Sequence, residues 1–214
     1  MKQNRPYRFL PGSRRYSSFD QERESFYRSF INQYYVEMAH RQLSEEYPHH
    51  SFLTNTVIAP QDIAFGSSPR KVIWKAGMPS FQVKDLNDFK DHRVLFYRTR
   101  LVHEKVLIQF HFINNFFYYC QLSFLCYNEK TDSILADSIR SKYQCSATFG
   151  KDETVILTDI CHNKLIIEKG IYLTVSYICG DNYPKSQLEE QLRQRNELSL
   201  KSDNQDLIRL IKIV

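Results

Sequence analysis

The sequence predicts an α+β fold, an antiparallel sheet with helices packed on one face. Three observations predict it. Apolar side chains recur every second residue over 94–101 and 106–113, the spacing of strands. They recur every third or fourth residue over 26–38 and again over 134–142, the spacing of amphipathic helices. The 6 glycines and 7 prolines fall between these periodic segments, where turns and caps are needed.

Residues 1–20 alternate basic and aromatic side chains (Tyr7, Arg8, Phe9, Arg14, Arg15, Tyr16 and Phe19) around Pro6, Pro11 and Gly12, with neither period. A basic extended arm is expected there. A helix and loop are expected over 21–61. Phe26, Phe30, Tyr34 and Met38 stand at i, i+4 spacing with Tyr27, Ile31 and Tyr35 alongside, and Pro48 closes the helix near Tyr47.

The α+β core is placed at 62–182. Ser68 offers a side-chain oxygen to the first helical amides, Pro69 brings the φ that suits the first position, and Gly77 can adopt left-handed dihedrals just past the end. These mark a short capped helix over 69–76 with Val72, Ile73 and Ala76 as its apolar face. Strands are expected over 94–101 and 106–113, joined by a hairpin at 102–105, and Asn114-Asn115 supplies the next turn because Asn tolerates positive φ. Residues 116–127 are apolar on both faces and read as a central strand. Ile134, Leu135, Ser138, Ile139 and Lys142 return to helical spacing within 129–143, and 144–152 is a loop. Strands over 154–160, 164–168 and 171–179 follow, with turns at Cys161-His162-Asn163 and Lys169-Gly170. A polar helix over 187–200 and an amphipathic tail over 207–214 make up the C-terminal segment, 183–214. A helix followed by three or four strands thus occurs twice, and the core divides into candidate halves at 62–127 and 128–182.

The chain has 214 residues, enough to bury a substantial core, and 42% of them are hydrophobic, which argues against wholesale disorder. Lysine and arginine number 29 against 24 acidic residues, a net charge of +5, and much of the excess lies near the N-terminus. No run of the ~7 apolar residues that a secretory signal needs follows the charged opening. The most apolar stretch, 106–127, is interrupted by polar residues and reads as strands rather than a membrane span. The 5 cysteines include no C-x-x-C pair, so reduced thiols and a cytoplasmic location are expected.

Residues capable of chemistry are present but do not form a known catalytic pattern. His103, His111, Cys120, Cys126, Cys161 and His162 lack the paired spacing of a structural zinc site. Asp85, Asp88, Asp91 and His92, with Glu104-Lys105, lack the offset of a nuclease-type carboxylate and lysine set. The glycines are scattered, with no phosphate-cradling loop. Cys161 and His162 would point apart on a strand. No catalytic residue, cofactor or metal ligand is therefore assigned.

The passage Phe65-Gly-Ser-Ser-Pro-Arg-Lys-Val-Ile-Trp-Lys-Ala-Gly-Met-Pro79 resembles the opening of small helix-then-sheet modules of the BamE/SmpA-like and β-lactamase-inhibitor-protein-like type. The later Phe96-Tyr97, Gln109 to Asn115 and Ile139 to Tyr143 are similar to their hairpin and second helix, and the resemblance spans about 62–180. It implies a non-catalytic module that binds a protein partner through its sheet face and loops. The expected function is therefore protein interaction or assembly, with the arm as a second contact. Arg5, Arg8, Arg14, Arg15, Tyr7, Tyr16, Tyr97 and Tyr119 are the expected partner-binding residues, and Phe81, Phe96, Tyr118 and Tyr172 are further aromatic candidates. The alternative is nucleic-acid association, with guanidinium groups of the arm on phosphates and its aromatic rings on bases.

Overall fold

The computed structural model describes residues 18–31, 51–84, 91–101, 103–145, 154–170 and 172–211. The chain forms two compact units, residues 1–32 and 33–214. In the first, helix α1 spans Ser18–Arg28. A Glu24–Arg28 pair at 2.7 Å supports it at i, i+4 spacing. The long helix expected to run to Tyr47 instead ends at Arg28. There the Ser29 hydroxyl donates to the Phe26 carbonyl at 2.7 Å, the local side-chain bond by which Ser competes with helix continuation. Residues 32–50, and the arm over 1–17, lie outside the described residues.

The second unit is built on an eight-stranded sheet. Its strands are β1 Ser51–Thr54, β2 Phe81–Lys84, β3 His92–Leu101, β4 Glu104–Ile113, β5 Phe116–Phe124, β6 Val155–Asp159, β7 Lys164–Lys169 and β8 Leu173–Ile178. Their order is β1-β6-β7-β8-β5-β4-β3-β2. All pairs are antiparallel except β1 with β6, so the sheet is mixed at one edge rather than wholly antiparallel. Helix α2, Pro69–Ala76, precedes the meander β2 to β5, and helix α3, Glu129–Tyr143, precedes the meander β6 to β8. The last strands of the two meanders, β5 and β8, meet side by side. The Asn114-Asn115 turn between β4 and β5 has positive φ at both residues, the two-residue form that matches strand twist.

Helices α2 and α3 share one face of the sheet. Val72 from α2 and Ile139 and Tyr143 from α3 pack into a core with Leu95, Phe110, Phe112, Phe117, Leu157 and Leu165. The opposite face is closed as well: His92, Val94, Phe96, Gln109, His111, Tyr119, Ser176 and Ile178 are each at most 2% exposed. Helix α4, Asn182–Ile211, is longer than its sequence pattern suggests. Asp181 Oδ1 accepts from the Tyr183 amide at 2.7 Å at its start, and Pro184 falls in its first turn, where a missing amide hydrogen costs nothing.

One polar cluster ties three segments together at the end of β6. Asp159, 3% exposed, accepts from the amides of Ile58 at 2.7 Å, Cys161 at 2.8 Å and Asn163 at 2.9 Å, and from Asn163 Nδ2 at 2.9 Å. Asn163 Oδ1 in turn accepts from the Gly180 amide at 2.9 Å. A side chain at Gly180 would overlap the Cys161 and His162 carbonyls, which explains glycine at that position.

Candidate interaction surface and polar cleft

Helix α2 is short, yet both of its ends are fixed. The Ser68 hydroxyl accepts from the Lys71 amide at 3.4 Å, and the Gly77 amide, with φ of 85°, donates to the Ile73 carbonyl at 2.9 Å. The Tyr97 hydroxyl donates to the Gly77 carbonyl at 3.0 Å, and Lys75 Nζ donates to the Asp62 carbonyl at 2.7 Å. Just upstream, Gly66 N donates to Phe117 O and Phe117 N donates to Ser67 O, at 2.9 and 3.2 Å, while the Phe65 ring stacks on Phe117 at 5.0 Å. Val72 is fully buried and fixes the inner face.

The outer face then follows from helix geometry, since two residues of helix place Trp74 about 200° from Val72. Trp74, the sole tryptophan, is 82% exposed, and Met78, just past the Gly77 cap, is 83% exposed. Arg70, Lys71 and Lys75 are exposed around them. Leaving such a ring in water forgoes roughly 2–3 kcal/mol of burial. A rigid helix therefore presents a large apolar side chain within a basic rim.

A second feature lies at the β2–β3 edge. Lys84 on β2 stands directly opposite Arg93 on β3. Like charges in cross-strand register repel. Together with Asp91, His92 and Asn115 they line a half-open cleft of about 180 Å³. Asp91 and Asn115 both have positive φ, and the Asp91 carbonyl accepts from the Asn114 amide at 3.1 Å. Asn114 Nδ2 also reaches Gln187 Oε1 at 2.9 Å and the Tyr183 hydroxyl at 3.3 Å on α4.

The residues expected to bind a partner are placed differently. Arg5, Tyr7, Arg8, Arg14, Arg15 and Tyr16 lie outside the described residues. Tyr97 is 8% exposed, its ring edge-on to Phe110, and burial pushes its hydroxyl up to about 12. Tyr119 is 1% exposed, its hydroxyl shared with Ser176 at 3.1 Å, and burial raises its pKa. Both are core residues, because the two faces of the central sheet are closed. Phe96 and Tyr118 are buried too, Phe81 is half-buried, and Tyr172 is exposed. Trp74 and Met78 were not among the expected contacts. The signal was available, since Trp74 falls opposite the apolar face that Val72, Ile73 and Ala76 define.

The other reactive side chains are dispersed. Cys120 is buried and its thiol is pushed well above its ordinary value by that burial; the Cys179 thiol is raised to about 11, also chiefly by burial. Cys161 and His162 occupy the β6–β7 turn, where the sequence places a turn, and both are exposed. His111 is fully buried, and burial first, then the neighbouring His92, hold its pKa well below the ordinary value. Among the described residues no group of three or more His, Cys, Asp and Glu side chains is placed to hold a metal ion. No helix among them is long and apolar enough to cross a membrane. Comparison with protein-family models, with curated proteins and with solved structures finds no match.

Proposed function

We propose that the protein is an interaction or assembly module that docks a protein partner on the outer face of α2. The observation that carries this reading is Trp74, 82% exposed on a helix fixed at both ends. Tryptophan dominates the energetics of protein interfaces, and a preorganised helix presents it without an ordering penalty. Arg70, Lys71 and Lys75 favour a partner whose apolar pocket is rimmed by carboxylates. The closed sheet faces make α2 a better platform than the sheet itself. The basic and aromatic composition of residues 1–20 supports a second contact there, and the free state of all five cysteines supports a reducing compartment such as the cytoplasm.

The sole tryptophan provides its own assay. Partner recovered from the native source by pull-down, with nuclease present, is expected to shift Trp74 emission to the blue and protect it from acrylamide quenching. Trp74→Ala is expected to weaken capture at least ~30-fold, about 2 kcal/mol, with the melting temperature unchanged. A partner captured equally by Trp74→Ala and Met78→Ser would overturn the reading. Capture abolished by nuclease would transfer it to nucleic acid and the N-terminal arm.

A further inference from the structure

We infer that the cleft at the β2–β3 edge binds the phosphate group of a small molecule. The two cations lining it, Lys84 and Arg93, are directly opposite in strand register, so the β2–β3 ladder brings both side chains out side by side at the same cleft. Among the described residues no carboxylate forms an ion pair with either. Cross-strand repulsion of this kind is unfavourable, and a bound anion converts it into attraction to both groups. Arg93 brings a planar fork suited to two phosphate oxygens, Lys84 brings a point charge, and Asn115 brings an amide donor to the same cleft.

The volume and the remaining wall narrow the class. At about 180 Å³ the cleft is larger than a phosphate group alone, so it has room for part of the molecule that carries one. Among the described residues of the lining, Asp91 is the one carboxylate. It repels a bare dianion but accepts from a hydroxyl or amine next to the phosphate. Asp91 precedes β3 and Asn115 lies in the β4–β5 turn, and the Asp91 carbonyl to Asn114 amide bond joins these two walls of the cleft. This site is separate from the α2 surface and does not depend on its partner.

NMR titration of the full chain tests the inference, with Arg93 Nε–H and Asn115 Nδ2–H₂ as reporters. Inorganic phosphate, O-phosphoserine, glycerol phosphate and acetate are the probes. The two phosphomonoesters are expected to give saturable shifts at both reporters with Kd on the order of 1 mM or tighter. Acetate should bind at least about 10-fold more weakly, having one charge and two oxygens. Lys84→Gln and Arg93→Gln should each weaken phosphomonoester binding by about 10-fold. Lys84 is exposed, so its variant tests the site even where Arg93→Gln perturbs folding. Asp91→Asn should tighten inorganic phosphate and narrow its gap to the esters. Inorganic phosphate that binds as tightly as the esters in the unaltered protein would assign the site to the free ion. Linear, unsaturable shifts, or shifts equal in Lys84→Gln and the parent, would overturn the inference.

Discussion

The Asp159 cluster and the Lys84–Arg93 cleft are both polar sites at the ends of sheet strands, and they differ in the bonding capacity they leave. Asp159 is 3% exposed and receives four N–H donors, which uses the acceptor sites of its carboxylate. Nothing is left over for a ligand. At the cleft, two cations face each other across a ladder with open space between the surrounding side chains. The same distinction separates Tyr97 and Trp74. The Tyr97 hydroxyl is spent on the Gly77 carbonyl and its ring on the core, whereas Trp74 stands in water on the helix that this bond anchors. Saturated bonding capacity accounts for structure, and the unspent capacity at Trp74 and at the cleft is what the two proposals rest on.

The largest expected effect tests the saturated side. Asp159→Ala strands four buried or half-buried donors and unties the chain before α2 from the β6–β7 turn. It should cost about 3–5 kcal/mol in urea unfolding. Gly180→Ala, which drives a methyl into the Cys161 carbonyl, should fall in the same range. A loss under ~1 kcal/mol for Asp159→Ala would break the comparison, because the cluster would then be no more structural than the cleft.

Next in size is an acid effect from the closed sheet face. The unfolded chain protonates His111 near its ordinary pKa of 6.5, while in the fold burial, and secondarily His92, hold it lower. The unfolded state therefore binds more protons below pH 6.5. The contribution is complete above that pH and is lost as pH falls toward the folded value, by up to ~1.4 kcal/mol per pH unit. Denaturation midpoints between pH 7.5 and 5 should fall accordingly, and His111→Gln should flatten the slope by about one proton. An unchanged slope in that variant would mean that His111 does not stay neutral in the fold.

These contrasts bear on what was legible in the residues. Ser68, Pro69 and Gly77 announced α2 because caps are local chemistry, and Asn114-Asn115 announced its turn for the same reason. Strands β1 and β2, four residues each, are too short for a period to emerge. The parallel pairing of β1 with β6 joins segments far apart in sequence, which no local pattern records. Alternation set Tyr97 on the face of Leu95, and the strand holding Tyr119 read as apolar on both faces, but neither pattern carries information on whether a face is covered. That limit sent the expected contacts into the core. Helical spacing, by contrast, places Trp74 opposite Val72 and so away from the core, as its exposure shows.

The smallest effect sharpens the comparison most. Lys84→Gln removes one of two like charges in direct register on an edge strand, and the Lys84 side chain takes part in no hydrogen bond among the described residues. Stability should stay level or rise by a few tenths of a kcal/mol, because the cross-strand repulsion is relieved and an exposed polar side chain remains. Where Asp159→Ala trades a full set of bonds for none, Lys84→Gln trades a repulsion for a neutral contact. A loss of more than ~1 kcal/mol on replacing Lys84 would give it a structural partner and remove the reason for reading the cleft as a site held open for an anion.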